Sequence, residues 1–261
     1  MKRLRVLSLG AGVQSTTVAL MAAHRDIEPP NVAIFADTGW EPAAVYAHLD
    51  WLVTQLPFPV RKVCNGNIRE SLRTRRNTTG GEFAAVPWYT INPDGSDGMG
   101  RRQCSSEYKL TPIMWQIREE LGVGRRERIA PGSVEVLLGI SRDEAHRMRD
   151  PRQDYMTHSY PLIDLRMTRG DCVRWLDKHG YPTPPKSACI GCPFHGDDYW
   201  IHLRATSPSE WQDAVEADRE LRQDEDRGEY MHRARVPLED VRLDDRQLDL
   251  FGNECEGYCG L

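Results

Sequence analysis

The stretch that decides the fold is LRVLSLGAGVQSTTVAL, Leu4–Leu20. Val6, Leu7 and Leu9 form an apolar run of buried-strand length. Gly10 and Gly12 break it, and Ser15 to Thr17 open a helix carrying Val18, Leu20 and Met21. A strand, a glycine-bearing loop and a helix bring backbone N–H groups and a helix N-terminus to one point, which suits an anion such as phosphate. The loop is not GxxxxGK[ST], because no lysine follows the second glycine. It is not GxGxxG, because Ser15 stands where the third glycine would be. On this stretch alone, an ordinary tight turn stands beside the phosphate cradle as an alternative.

Working outward, the pattern repeats. Val32 to Phe35 is a second strand, ending in Ala36-Asp37-Thr38-Gly39. Glu41 and Pro42 start a helix with Val45, Leu49, Leu52, Val53 and Leu56 on one face, and Pro57 and Pro59 stop it. Val60 to Val63 is a third strand, and Asn67 caps a short helix through Arg76. Residues 77–103 lack periodicity and carry Gly80, Gly81, Gly95, Gly98 and Gly100. A loop this long inside a domain reads as a lid, a binding loop or a mobile segment. Thr111-Pro112 reads as a helix start, and Val134 to Ile140 is the strongest strand. Thr168 with Asp171 resembles a capping box for a helix through His179, which Gly180 ends; Ser207-Pro208 starts another.

Strands alternating with helices predict an α/β fold, a Rossmann-like parallel sheet with helices on both faces. The nucleotide-binding domain is expected over 1–165. A helical, cysteine-bearing C-terminal extension over 166–261 is expected to pack on it. Ligands of such sheets sit at the carboxyl ends of the strands. The Gly10–Ser15 loop, Asp37–Gly39, Cys64–Asn67 and Ser141–Arg149 are therefore expected along one edge.

The bulk chemistry narrows the function. At 261 residues the chain can bury one large domain or a domain with an appendage. A net charge of −5 excludes a uniformly basic nucleic-acid binder. Its 29 arginines against 5 lysines cluster at Arg73/Arg75/Arg76, Arg101/Arg102, Arg125/Arg126/Arg128 and Arg147/Arg149. Such clusters serve as phosphate forks or as a solvated basic face. No apolar run reaches membrane-spanning length, and Met1-Lys-Arg leads straight into the first strand. A cytoplasmic location is expected, with no membrane partner, where seven cysteines suggest metal binding or catalysis rather than disulfides.

Cys189-Ile-Gly-Cys192 is the sharpest local signal, two thiolates at a spacing suited to one metal or one cluster. Cys104, Cys255 and Cys259 are candidates for further ligands, and His195 is a candidate zinc ligand. Cys64 and Cys172 read as small buried residues. A [4Fe–4S] cluster, a structural Zn²⁺ and a redox pair all remain open on these residues.

Several of these pieces, in order along the chain, resemble one family. Gly10-Ala11-Gly12-Val13-Gln14-Ser15 aligns with the SGGxDS pyrophosphate loop of the adenine nucleotide alpha-hydrolase (PP-loop) superfamily, phosphoadenosine phosphosulfate reductase-like group. Asp37-Thr38-Gly39 is that group's motif unchanged. Cys104 through Lys109 to Pro112 is similar to its cysteine-plus-lysine segment, and Gly139, Asp143 and Glu144 to its GxxxDExxxR segment, with Arg147 one residue short of the motif's arginine. Cys189–Cys192 is similar to its CxGC loop, and Tyr258-Cys259-Gly260-Leu261 to its tail. Departures are Val13-Gln14 in place of Lys-Asp, and Gln103-Cys104 where the reductases carry two adjacent cysteines.

The resemblance implies ATP binding, with Mg²⁺, through Gly10, Ala11, Gly12, Gln14, Ser15, Asp37, Thr38, Gly39, Gly139, Arg142 and Arg147. It implies a [4Fe–4S] cluster on Cys104, Cys189 and Cys192, with Cys255, Cys259 or an open iron at the fourth position, and Zn²⁺ as the alternative metal. Two activities follow. One is adenylation of a substrate oxygen with release of pyrophosphate and sulfur transfer to a nucleobase, nucleotide or nucleic acid. The other is sulfonucleotide reduction, with Cys259 as nucleophile and thioredoxin as partner. Asp37 and Cys259 are the expected catalytic residues, and Arg101, Arg102, Arg147 and Arg149 the candidate contacts for substrate phosphates. A non-catalytic nucleotide-binding protein with structural zinc is the third reading. A sulfur donor is a further implied partner, and a homo-oligomer is compatible with all three.

Overall fold

The computed structural model describes residues 3–83, 85–223 and 228–243. In chain order, β1 (Leu4–Ser8), α1 (Val13–His24), β2 (Val32–Asp37), α2 (Ala43–Gln55), β3 (Val60–Cys64) and α3 (Ile68–Thr74) alternate strictly. Two short strands follow, β4 (Tyr89–Ile91) and β5 (Asp97–Met99). A π-helical turn over Ser105–Leu110 runs directly into α4 (Thr111–Glu120). Next come β6 (Val134–Leu137), a 3-10 turn over Arg142–Arg147, β7 (Met156–Ser159) and α5 (Pro161–Asp164). The described chain then carries α6 (Arg169–Lys178), α7 (Asp197–Thr206), α8 (Pro208–Leu221) and β8 (Glu229–Tyr230).

Five strands pair in the order β3-β2-β1-β6-β7, all parallel. Val6 sits opposite Val32 on one side and Val136 on the other. Alternation along the strands divides the core. Leu7, Phe35 and Leu137 face α1, α2 and α6, through Val18, Leu49, Leu52 and Leu176. Val6, Ile34, Val134 and Val136 face α4 through Ile113 and Ile117. A sheet buried on both faces needs near-continuous apolar strands, which β1, β2 and β6 supply. The strand order reverses at β1, so its carboxyl end borders the crevice where ligands of this fold class bind.

A third core lies beside the sheet. Trp40, Phe83, Val86, Trp88, Tyr108 and Ile190 pack there with α3, α7 and α8. The 77–103 segment packs into this core, and of the three readings of it a binding loop fits best, because Val86, Pro87 and Arg102 line the cysteine cavity. Phe83, Ala85 and Trp88 are buried, and β4 pairs antiparallel with β5 and β8. Thr111-Pro112 is not a clean helix start, because the π-turn already carries the helix into it. Val53 is 43% exposed rather than part of the α2 stripe. Cys64 is exposed at the end of edge strand β3, whereas Cys172 is buried as expected. The Thr168–Asp171 capping box forms with both hydrogen bonds, and Asn67 caps α3 by accepting from the Glu70 N–H. Among the described residues no helix is long and apolar enough to cross a membrane.

One buried histidine gives the fold a pH signature. His48 on α2 lies 3.0 Å from Thr16 Oγ1 and beside Trp51, and burial lowers its pKa from 6.5 to about 4. The unfolded chain then takes up the proton first. Stability is full above pH 6.5 and falls as pH drops towards about 4, by on the order of 3 kcal/mol for this group. Urea unfolding between pH 7 and pH 4 should show that loss, and His48→Gln should reduce the slope in this window by about one proton. An unchanged slope would contradict the assignment.

Candidate functional site

Parallel pairing brings the four expected segments to one carboxyl edge. The first is the loop after β1. Ala11 adopts a left-handed φ of 59° despite its Cβ, and Gly12 leads extended into α1. Ser15 Oγ accepts from the Gly10 N–H at 3.2 Å, closing the loop on itself. The first turn of α1 carries no acidic side chain of its own, which leaves its backbone N–H groups suited to an anion.

Gln14 is fully buried. Its amide donates to Glu144 Oε2 at 3.0 Å and to Ser141 Oγ at 3.4 Å. Glu144 also accepts from Arg147 at 2.7 Å, and Ser141 donates to Asp143 at 2.6 Å. The residue that departs from the family loop thus ties the first segment to the fourth. Gly139 is buried in the turn after β6. Arg142 is exposed, its backbone N–H donating to the Met167 carbonyl.

The second segment is held from its own side of the sheet. Asp37 accepts from the Gly39 N–H at 2.8 Å and Tyr46 OH at 2.7 Å, and pairs with Lys62 at 2.9 Å. Burial alone would raise its pKa, but Lys62, Tyr46 and the Gly39 N–H together hold it below the ordinary value. Gly39 has φ 73°, and a Cβ there would collide with the Asn67 side chain, which donates to the Gly39 carbonyl. The turn therefore requires glycine.

The cysteine loop closes over this edge. Ser187 donates to the Gly10 carbonyl, and the Ile190 N–H donates to the Trp40 carbonyl at 2.8 Å. Cys104, Cys189 and Cys192 then line one small cavity together with Trp40, Lys109 and Arg102. Arg102 lies over the Phe194 ring at its mouth, and Arg101 is exposed. Cys104 reaches the cavity from far away in sequence, its backbone N–H held by the Ala85 carbonyl. In an α-helix Cys104 and Lys109 would point about 140° apart, whereas i→i+5 bonding stacks residues five apart. The π-turn is what lets both residues line the same cavity.

Beneath the cysteines lies a buried polar cluster. Thr38 donates to Glu41 Oε1 at 3.1 Å and lies 3.1 Å from Cys189 Sγ. Lys109 Nζ is 3.7 Å from Glu41 Oε1, and the Cys189 thiol donates to the same oxygen at 3.7 Å. Burial, and then Glu41, push the Cys189 thiol well above its ordinary pKa, against the opposing pull of Lys109 and Thr38. Cys189 is therefore a thiol here, and a bound metal must displace its proton. Lys109 also lines a second, smaller cleft with Ser8, Gly10, Phe35, Ala36 and Ile113. One buried lysine thus lines both the cleft at the glycine loop and the cysteine cavity.

His195 serves the loop's shape. Its Nε2 lies 2.8 Å from the Cys189 carbonyl and its ring stacks on Tyr199 at 3.4 Å. Burial, and then Lys186, lower its pKa to about 3, so the ring is neutral and Nε2–H is the donor. Among the described residues, no three His, Cys, Asp or Glu side chains converge closely enough to hold a single metal ion. Cys255 and Cys259 lie outside the described residues. Glu41 was not legible as a site residue. It reads in sequence as a helix start, and only the fold brings it to Lys109 and Cys189.

No protein-family model matches the chain, and no curated protein matches it in sequence. Among solved structures, the chain is similar to the crystal structure of phosphoadenylyl-sulfate (PAPS) reductase from Candida auris in its phosphate complex. The identity is 13% and the TM-score 0.45, over 69% of this chain and 75% of that one.

Proposed function

We propose that the chain is a PP-loop-type enzyme that binds ATP at the β1 edge, adenylates a substrate oxygen and replaces that oxygen with sulfur. The observation that carries the reading is Lys109 bordering both the glycine-loop cavity and the cavity lined by Cys104, Cys189 and Cys192. Nucleotide and sulfur chemistry then adjoin.

In the first step a substrate oxygen attacks the α-phosphorus and pyrophosphate leaves. Backbone N–H groups at the start of α1, with no acidic neighbour in that turn, and the Lys109 ammonium stabilise the charge developing on the leaving group. Asp37 contributes through the turn it holds, which sets Thr38 and Glu41 under the cysteines. In the second step sulfide adds to the activated carbon and AMP leaves.

The donor set bears on the metal. One tetrahedral Zn²⁺ bound at 2.3 Å would need sulfurs ~3.8 Å apart. Cys104, Cys189 and Cys192 line one cavity, and three thiolates from two distant segments are a donor set that an iron–sulfur cluster would accept. A cluster held by Cys104, Cys189 and Cys192 would supply a site for activating sulfide.

The test is to incubate protein purified without oxygen with ATP, sulfide and RNA, DNA or nucleotide pools, and to follow pyrophosphate and AMP. Release of both that depends on acceptor and sulfide is expected. No release from any pool would remove the reading. An S-sulfonated Cys259 formed from a sulfonucleotide, without ATP cleavage, would replace it with the reductase.

A further inference from the structure

The strand order reverses between β1 and β6, so the ligand crevice of this sheet lies between the loops that follow those two strands. One buried side chain spans it. Gln14 is the second residue of α1, and its side-chain NH2 donates to Ser141 Oγ at 3.4 Å and to Glu144 Oε2 at 3.0 Å, both in the turn after β6. The contacts continue from there. Glu144 accepts from Arg147 at 2.7 Å, and the side chains of both are 14% exposed. On its far side the same turn is held by the start of α6 and the residues before it. The Arg142 N–H donates to the Met167 carbonyl at 2.8 Å, and Asp143 accepts from the Arg169 N–H at 3.1 Å.

We propose that Gln14 is a positioning residue of the nucleotide site, setting the width of the crevice by docking the Ser141–Arg147 turn on the first turn of α1. This role rests on the ATP-binding reading. Residue 14 contributes one of the first-turn backbone N–H groups that suit an anion, so a side chain fixed across the crevice fixes that donor as well. Glu144 makes the residue type at position 14 strict. A carboxylate there would lie about 3 Å from the Glu144 carboxylate, and two carboxylates at that distance cannot both ionise. Position 14 therefore calls for a neutral donor, and Gln14 supplies it.

The experiment is calorimetric titration of the full chain with ATP at about pH 5.5 and about pH 8, on the parent and on Gln14→Glu, Gln14→Glu/Glu144→Gln, Glu144→Ala and Glu144→Gln. In Gln14→Glu a proton shared between the two carboxyls keeps the contact at the lower pH, and both ionise and repel at the higher. The ratio of its dissociation constant to the parent's should therefore rise with pH, from within about threefold to about tenfold or more, and Gln14→Glu/Glu144→Gln should abolish the rise. Arg147, on Glu144, and Asp143, on Ser141, are the other charged groups of the cluster; both are common to parent and variant, so the ratio isolates residue 14. At the higher pH Glu144→Ala, which removes the acceptor, should weaken ATP binding, and Glu144→Gln, which keeps one, should recover most of the loss. A merely structural contact would change unfolding in urea and leave these ratios flat. Ratios independent of pH, or Glu144→Ala binding ATP as tightly as Glu144→Gln, would overturn the proposal. If Gln14→Glu fails to fold at the higher pH, the two Glu144 variants decide alone. A parent that binds no ATP at either pH removes the nucleotide reading, and this role with it.

Discussion

Gly191→Ala is expected to destabilise the protein by about 3 kcal/mol, at the upper end for overpacking, and to displace the cysteine loop. A Cβ on residue 191 would fall inside the Trp40 ring and 3.0 Å from Met231 Cε. Trp40 cannot turn away cheaply. Its indole N–H donates to Asp213 at 2.6 Å, Arg69 lies over its ring, and its carbonyl holds the Ile190 N–H. The clash involves the outer six-membered ring, so Trp40→Phe should relieve it. Urea unfolding of the two single variants and the double variant checks this. The double variant should recover at least about 1 kcal/mol relative to additivity. A Gly191→Ala protein within about 0.5 kcal/mol of the parent would contradict the packing.

Lys109→Met should cost about 3–5 kcal/mol, because it leaves Glu41 buried without its cation. The Glu41 side chain is 1% exposed and the Lys109 side chain 9%. Water cannot replace the lost partner there. Adding Glu41→Gln removes the stranded charge and keeps an acceptor for Thr38, so the double variant should regain most of the loss. Its nucleotide affinity should stay low, since the lysine that lines the cleft with Gly10 is gone. Denaturant unfolding and ATP titration on the same three variants separate the two effects. A Lys109→Met variant that unfolds within about 1 kcal/mol of the parent would show that the pair is not buried as described.

The parts of the fold legible in sequence were those written in local periodicity. The apolar run before Gly10, the short runs at Val32 and Val134 and the Thr168–Asp171 cap all form as expected, and parallel pairing then puts their loops on one edge. What stayed hidden depends on distant partners. Nothing local tells Glu41, at a helix start, that Lys109 will reach it. Nothing local marks Ser105–Leu110 as a π-turn, because its spacing matters only once Cys104 and Lys109 share a cavity. Residues 77–103 looked formless because their buried residues, Phe83, Ala85 and Trp88, have no period; they fill gaps between α3, α7 and α8. Cys64 was misjudged because β3 is an edge strand, which composition does not reveal.

The central claim is that Cys104, Cys189 and Cys192 form a sulfur-chemistry site beside a nucleotide loop. Iron, acid-labile sulfide and zinc content per chain, measured after purification without oxygen, tests it most directly. About four iron and four sulfide per chain are expected, falling to background in Cys189→Ser/Cys192→Ser. One zinc per chain with no iron, or no metal at all, would contradict the account.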